Sequence, residues 1–118
     1  MREPPAIDGF GGGGFRVAGV WRPGSLLILD DAPRDWRPVT MAEVALDDFQ
    51  PVIAAPAGTV EFVLLGTGQA QSLPPRAIRE ALRRAGLGLE FMATDAAAKL
   101  HNVLASEGRL FATALIVI

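Results

Sequence analysis

A chain of 118 residues fits one domain and leaves no room for a second independently folded unit. With 50% apolar and 20% charged residues it can bury a core, and its 13 glycines and 9 prolines stay below the combined share of roughly 25 to 30% that marks low-complexity sequence. The absence of cysteine excludes disulfides, thiol nucleophiles and thiolate metal sites, the single histidine, His101, excludes a histidine pair around zinc, and a net charge of -2 argues against general nucleic-acid binding.

The expectation is one globular domain over 1–118, led by a proline- and glycine-rich segment over 1–14. The longest uncharged apolar run free of turn signals, 110–118, is far short of the roughly 20 residues a membrane-spanning helix needs. The N-terminus lacks the apolar stretch of a secretory signal, which sets the expectation of a cytoplasmic protein.

In chain order, residues 9–14 come first, with five glycines in six positions. They read as a bend, bulge or loop ahead of the first firm strand. A phosphate cradle fails on context, because no helix signal follows and no Gly-Lys-Ser/Thr closes the run. Phe15, Val17, Val20 and Trp21 on one side of Pro23-Gly24, and Leu26, Leu27, Ile28 and Leu29 on the other, make 22–25 a tight turn between antiparallel strands. After Asp30, Asp31, Ala32 and Pro33, the pair Trp36 and Val39 suggests a short edge strand limited by Pro38. Residues 42–50 read as one or two helical turns with Val44, Leu46 and Phe49 inward. Asp47 and Asp48, about 100° apart on a helix, read as a solvated face rather than an acid/base pair.

Residues 60–65 read as a buried strand that stops at Gly66-Thr67-Gly68. Helix signals follow: Ser72 as a cap, Pro74 and Pro75 in the first turn, and Gly86 as the stop. Ala77, Ile78, Ala81, Leu82 and Ala85 form the apolar stripe, Arg76, Arg79 and Arg83 run along another face, and Glu80 pairs with Arg84 at i,i+4. A strand over 88–92 leads to Thr94, expected to cap a helix that runs to about 107 and ends at Gly108. Its apolar stripe is Ala96, Ala97, Leu100, Val103 and Leu104. The opposite face, Asp95, Ala98, Asn102, Ala105 and Ser106, is small enough for close approach by a ligand, a partner or a second layer of the same chain. Residues 109–118 read as a central strand buried on both faces. The fold class is α+β (mixed α/β): three layers around a mixed β-sheet, with two main helices and an N-terminal β-hairpin.

Several segments taken in order resemble a family of small prokaryotic proteins of about 120 residues without assigned activity, which includes a mitochondrial respiratory complex I assembly factor. They are Ile7-Asp8-Gly9-Phe10 with Phe15-Arg16-Val17, Gly24-Ser25-Leu26-Leu27-Ile28-Leu29, Leu64-Leu65-Gly66-Thr67-Gly68, residues 74–86, Glu90-Phe91-Met92-Ala93-Thr94 and Asn102 to Arg109. The resemblance spans nearly the whole chain and implies the same three-layer fold. It also implies a cytoplasmic factor that helps build or stabilise a membrane-bound NADH:quinone oxidoreductase. Where many relatives carry Arg-Thr-Tyr-Asn, this chain has Lys99-Leu100-His101-Asn102, so a role resting on that threonine or tyrosine is absent while Asn102 remains.

Two functional expectations follow. The first is a non-catalytic interaction protein whose partner surface is Arg76, Arg79 and Arg83, with complex I subunits or assembly intermediates as partners and a homodimer as a further option. The second is a small-molecule or anion site, serving either binding or an enzyme of unknown reaction, at Gly66, Thr67 and Gly68, after a strand and before a helix, completed by Thr94 and Asn102. No cofactor, metal or catalytic residue is expected. Ser25, Ser72 and Ser106 show no elbow motif, Glu61, Glu90, Asp95 and Glu107 are scattered, and His101 reads as a partly buried structural residue.

Overall fold

Two pairs of left-handed residues fold the N-terminal segment back on itself twice. Gly12 and Gly13 (φ 65° and 90°) join β1 (Ile7–Gly11) to β2 (Gly14–Val17), and Ala18 and Gly19 (φ 50° and 80°) join β2 to β3 (Val20–Pro23). Positive φ at both central residues gives the two-residue turn whose twist matches paired strands, and glycine adopts it without steric cost. The computed structural model, which describes residues 2–118, thus begins with a three-stranded antiparallel sheet, β1-β2-β3.

This corrects two expectations. The glycine run ends one strand and turns into the next, rather than preceding the first strand. The turn at 22–25 closes no hairpin, because β3 pairs back onto β2 while Gly24 passes the chain to β4 (Ser25–Leu29) in a second sheet. Turn chemistry bends a chain but does not choose the partner. Every residue of β4 is buried, which suits an interior strand, whereas Val20 and Trp21 are exposed.

The second sheet has five strands in the order β5-β4-β8-β6-β7, namely β5 (Ala32–Trp36), β4, β8 (Phe111–Leu115), β6 (Phe62–Gly66) and β7 (Gly88–Met92). It is mixed: β8 runs antiparallel to β4 and parallel to β6, and β7 is parallel to β6. Pro33 lies in the edge strand β5, where a missing N–H is tolerated. The connections are α1 (Gln50–Ile53), α2 (Arg76–Arg84) and α3 (Thr94–Ser106), with single 3-10 turns at Met41–Glu43 and Leu46–Phe49.

Strand alternation sends successive side chains to opposite faces and so builds two cores. On one face Leu27, Leu29, Val63 and Leu65 meet Ile78 and Leu82 of α2, with Trp36, Phe49 and Val52. On the other, Leu26, Ile28, Leu64 and Leu115 meet Phe15 and Val17 of the small sheet and Ala97, Ala98 and Leu104 of α3. The expected three layers result.

The 42–50 segment differs in detail. Val44 and Phe49 are buried as expected, but Leu46 is 44% exposed. Asp48 is no solvated residue: its side chain accepts from Nε and one Nη of Arg37 at 2.9 and 2.7 Å and from the Ala45 N–H at 2.8 Å. The Arg37 guanidinium holds the Asp48 carboxyl below the usual carboxylate range, against a smaller upward push from burial. The pair braces the backbone whose Asp48 carbonyl accepts the Trp36 indole N–H at 3.0 Å.

Candidate functional site

The C-terminal ends of the parallel strands β6 and β7 meet the start of α3 and the end of β8 around one hydroxyl. Thr94 Oγ1 donates to the Ile116 carbonyl at 2.7 Å and accepts the Gly68 N–H at 2.9 Å, with no side-chain exposure to water. Thr94 therefore ties two strand ends to α3 from inside its first turn, and is not the cap expected of it; the N-cap position is Ala93. Glycine is required at 66 because a Cβ there would lie 2.9 Å from Thr94 Cα and 2.8 Å from Leu115 Cδ2. Thr67 Oγ1 donates to the Ala70 carbonyl at 2.7 Å and accepts the Ser72 N–H at 3.1 Å. Ser72 thus braces the loop rather than capping α2, which begins behind Pro75.

The structure therefore brings Gly66, Thr67, Gly68 and Thr94 together, but it spends their hydroxyls within the fold. An open cleft of about 220 Å³ beside them is walled by Val39, Met41, Gln69, Ile116 and Val117. Asn102 does not join them. It lies two turns along α3, about 12 Å at the helical rise, where its amide makes two bonds to Ile7, accepting the N–H and donating to the carbonyl, each at 2.8 Å. β1 of the same chain meets the small-residue face of α3 through Asn102, with Ala98 buried in the core beside it, while Asp95 and Ser106 stay exposed.

His101 sits in the same layer, 2% exposed. Its Nε2 faces the Pro5 carbonyl at 2.8 Å, which can only accept, so Nε2 carries the proton; Nδ1 then accepts from the Thr113 hydroxyl at 2.7 Å. Both ring nitrogens are engaged, and burial pushes the imidazole pKa down despite the Pro5 bond and the more distant Asp31 charge. A folded-state pKa below the unfolded value means the unfolded chain binds more protons in the window between them. The neutral histidine's contribution is complete above about pH 6.5 and is lost as pH falls toward the folded pKa. The imidazole of this sole histidine should accordingly titrate below the ordinary histidine value in the folded protein, and the melting temperature should decline as pH falls below about 6.5. Titration at or above 6.5 in the folded protein contradicts that environment.

The remaining candidate is α2. Four arginines stand on this helix against one glutamate. Arg76 and Arg84 both turn to Glu80, at 2.9 and 3.5 Å, and Arg79 Nε donates to the Pro74 carbonyl at 3.0 Å. Arg83 forms no salt bridge among the described residues. Arg76, Arg79, Glu80 and Arg83 surround an open depression of about 450 Å³. Ile78 and Leu82 anchor the opposite face of the helix in the core, so the arginines are presented on a fixed support.

A protein-family model described as a protein of unknown function (DUF498/DUF598) matches residues 7–116. The chain belongs to this family. It is 37% identical over 110 residues to an uncharacterised protein of Rhodobacter capsulatus, covering 93% of this chain and 82% of that protein. A crystal structure described as an outer membrane protein of Bartonella henselae superposes with a TM-score of 0.88 at 29% identity, covering 97% of this chain and 95% of that one. An NMR structure of a Rhodopseudomonas palustris protein gives 0.82 at 35% identity, covering 100% and 89%. Among the described residues of the present chain, no helix is long and apolar enough to cross a membrane.

Proposed function

We propose that this chain is a non-catalytic interaction protein of the cytoplasm that docks an acidic protein surface on α2. The family resemblance names subunits or assembly intermediates of a membrane-bound NADH:quinone oxidoreductase as clients. One observation carries the reading: the arginine face of α2, with Arg83 lacking a carboxylate partner among the described residues, stands on a helix whose other side is locked into the core. A cationic patch of this kind raises encounter rates with acidic partners and sets orientation.

The test is purification of the tagged protein from its own host in mild detergent, with quantification of what accompanies it. Enrichment of oxidoreductase subunits is expected. Arg76→Glu, Arg79→Glu and Arg83→Glu together should lower that recovery at least about tenfold, while the melting temperature changes by only a few degrees because the three side chains lie on an outward face. Undiminished recovery by the folded triple variant removes α2 as the docking surface.

A further inference from the structure

Helix α3 carries an apolar stripe that the fold only half uses. Ala97 and Leu104 are buried, whereas Leu100 is half-buried, Ala96 is exposed and Val103 is 52% exposed. Next to this side runs β7, the outermost strand of the five-stranded sheet. The bonds from Gly88 N to Glu61 O and from Thr67 N to Met92 O show that Gly88, Glu90 and Met92 turn their backbone groups toward β6. The N–H and C=O groups of Leu89 and Phe91 therefore point away from the sheet, and no backbone partner among the described residues meets them. The opposite edge, β5, is blunted by Pro33, Arg34 and Asp35; β7 has no proline, no basic residue and no bulge.

Between β7 and α3 opens a cleft of about 350 Å³ walled by Phe62, Glu90, Leu100, Leu104 and Arg109. The Arg109 guanidinium lies 5.1 Å from the centre of the Phe62 ring and forms no salt bridge among the described residues. Main-chain groups at every second residue accept only an extended chain, and residues two apart on such a chain face the same side.

We propose that β7 and this cleft receive an extended segment of a partner protein. The segment adds a strand beside β7, seats an apolar side chain over Phe62, Leu100 and Leu104, and offers an acidic side chain two residues away to Arg109. A second copy of this chain fits less well: the full-length antiparallel register of β7 on itself centres on Glu90 and sets two like charges opposite each other. The inference rests on the interaction role proposed above but uses a surface separate from the arginine face.

The experiment uses a fluorescein-labelled peptide with threonine at alternate positions and leucine and glutamate taking turns between them, and a control with lysine in place of glutamate. Saturable binding of the glutamate peptide is expected, with slowed hydrogen exchange at the Leu89 and Phe91 amides. Leu89→Pro, which deletes an outward N–H without touching the ladder to β6, should weaken binding about tenfold. Should that variant fail to fold, Arg109→Glu on the cleft rim carries the test, and it should come to prefer the lysine peptide. Equal binding of the two peptides, or unchanged exchange at Leu89 and Phe91, overturns the proposal. So does a concentration-dependent dimer of the unaltered protein that Leu89→Pro or Arg109→Glu dissolves, since the edge then belongs to a second copy. The triple α2 variant should bind the peptide unchanged, and loss of binding there overturns the assignment to β7. Peptide binding without copurifying oxidoreductase removes the client and leaves the groove, and the reverse result removes the groove alone.

Discussion

Replacing Thr94 by valine should cost about 2 to 4 kcal/mol, because it keeps the shape of the side chain and deletes the one oxygen that serves two buried backbone groups. The Gly68 N–H and the Ile116 carbonyl each lose their hydroxyl partner in a place water does not reach. An orphaned buried group costs about 1 to 3 kcal/mol, far more than the net gain of an ordinary hydrogen bond. For a domain of this size the loss lowers the melting temperature by about 10 °C. Thr94→Ser retains the oxygen and should recover most of the difference. Thermal melts of the two variants check the argument, and a valine variant melting within two or so degrees of the unaltered protein defeats it.

Phe15→Ala should be the more damaging of the two, at about 3 to 5 kcal/mol. Phe15 is fully buried and belongs to the core that joins the three-stranded sheet to Leu26, Ile28 and α3. Against a typical stability of about 5 to 15 kcal/mol this is a large fraction. The effect should also be local. β1–β3 meet the large sheet through few other side chains, chiefly Ile7 and Val17, so their amides should lose exchange protection before those of β6 and β8. Hydrogen exchange followed residue by residue distinguishes this from uniform loosening, which the layered packing does not predict.

Strong periodic segments were legible in the sequence. β7 falls on the expected 88–92, α3 ends at Ser106 against an expected 107, and β8 is buried on both faces as its unbroken apolar run implies. Pairing was less legible, because 22–25 has genuine turn chemistry while the choice between β2 and β4 as the partner of β3 depends on burial elsewhere. Thr94 illustrates the same limit at the candidate site. A threonine ahead of a helix matches the signature of a cap, and nothing local reveals that two strand ends will converge on its hydroxyl. Asn102, polar on a small-residue face, reads from the sequence as part of a pocket; its partner, Ile7, is 95 residues away. The unburied half of the α3 stripe had no signal of its own, since Leu100 and Val103 both fit the core pattern, yet Leu100 lines the cleft beside β7 and Val103 is exposed. The arginine face, set by spacing along one helix, needed no tertiary information.

The central position of β8 has a consequence for biosynthesis. It is the last of the eight strands to leave the ribosome, yet it alone hydrogen-bonds both to the β4–β5 pair and to the β6–β7 pair. Until residues 111–115 clear the exit tunnel, the nascent chain holds two half-sheets with no ladder between them and with β4 and β6 each exposing an apolar, unpaired flank. Topologies dominated by such distant pairings fold slowly and are vulnerable to aggregation in the interval. A nascent chain arrested with residues 111–115 still inside the tunnel should therefore be bound by chaperones and cut by proteases, and the same chain lengthened at its C-terminus until those residues emerge should be protected.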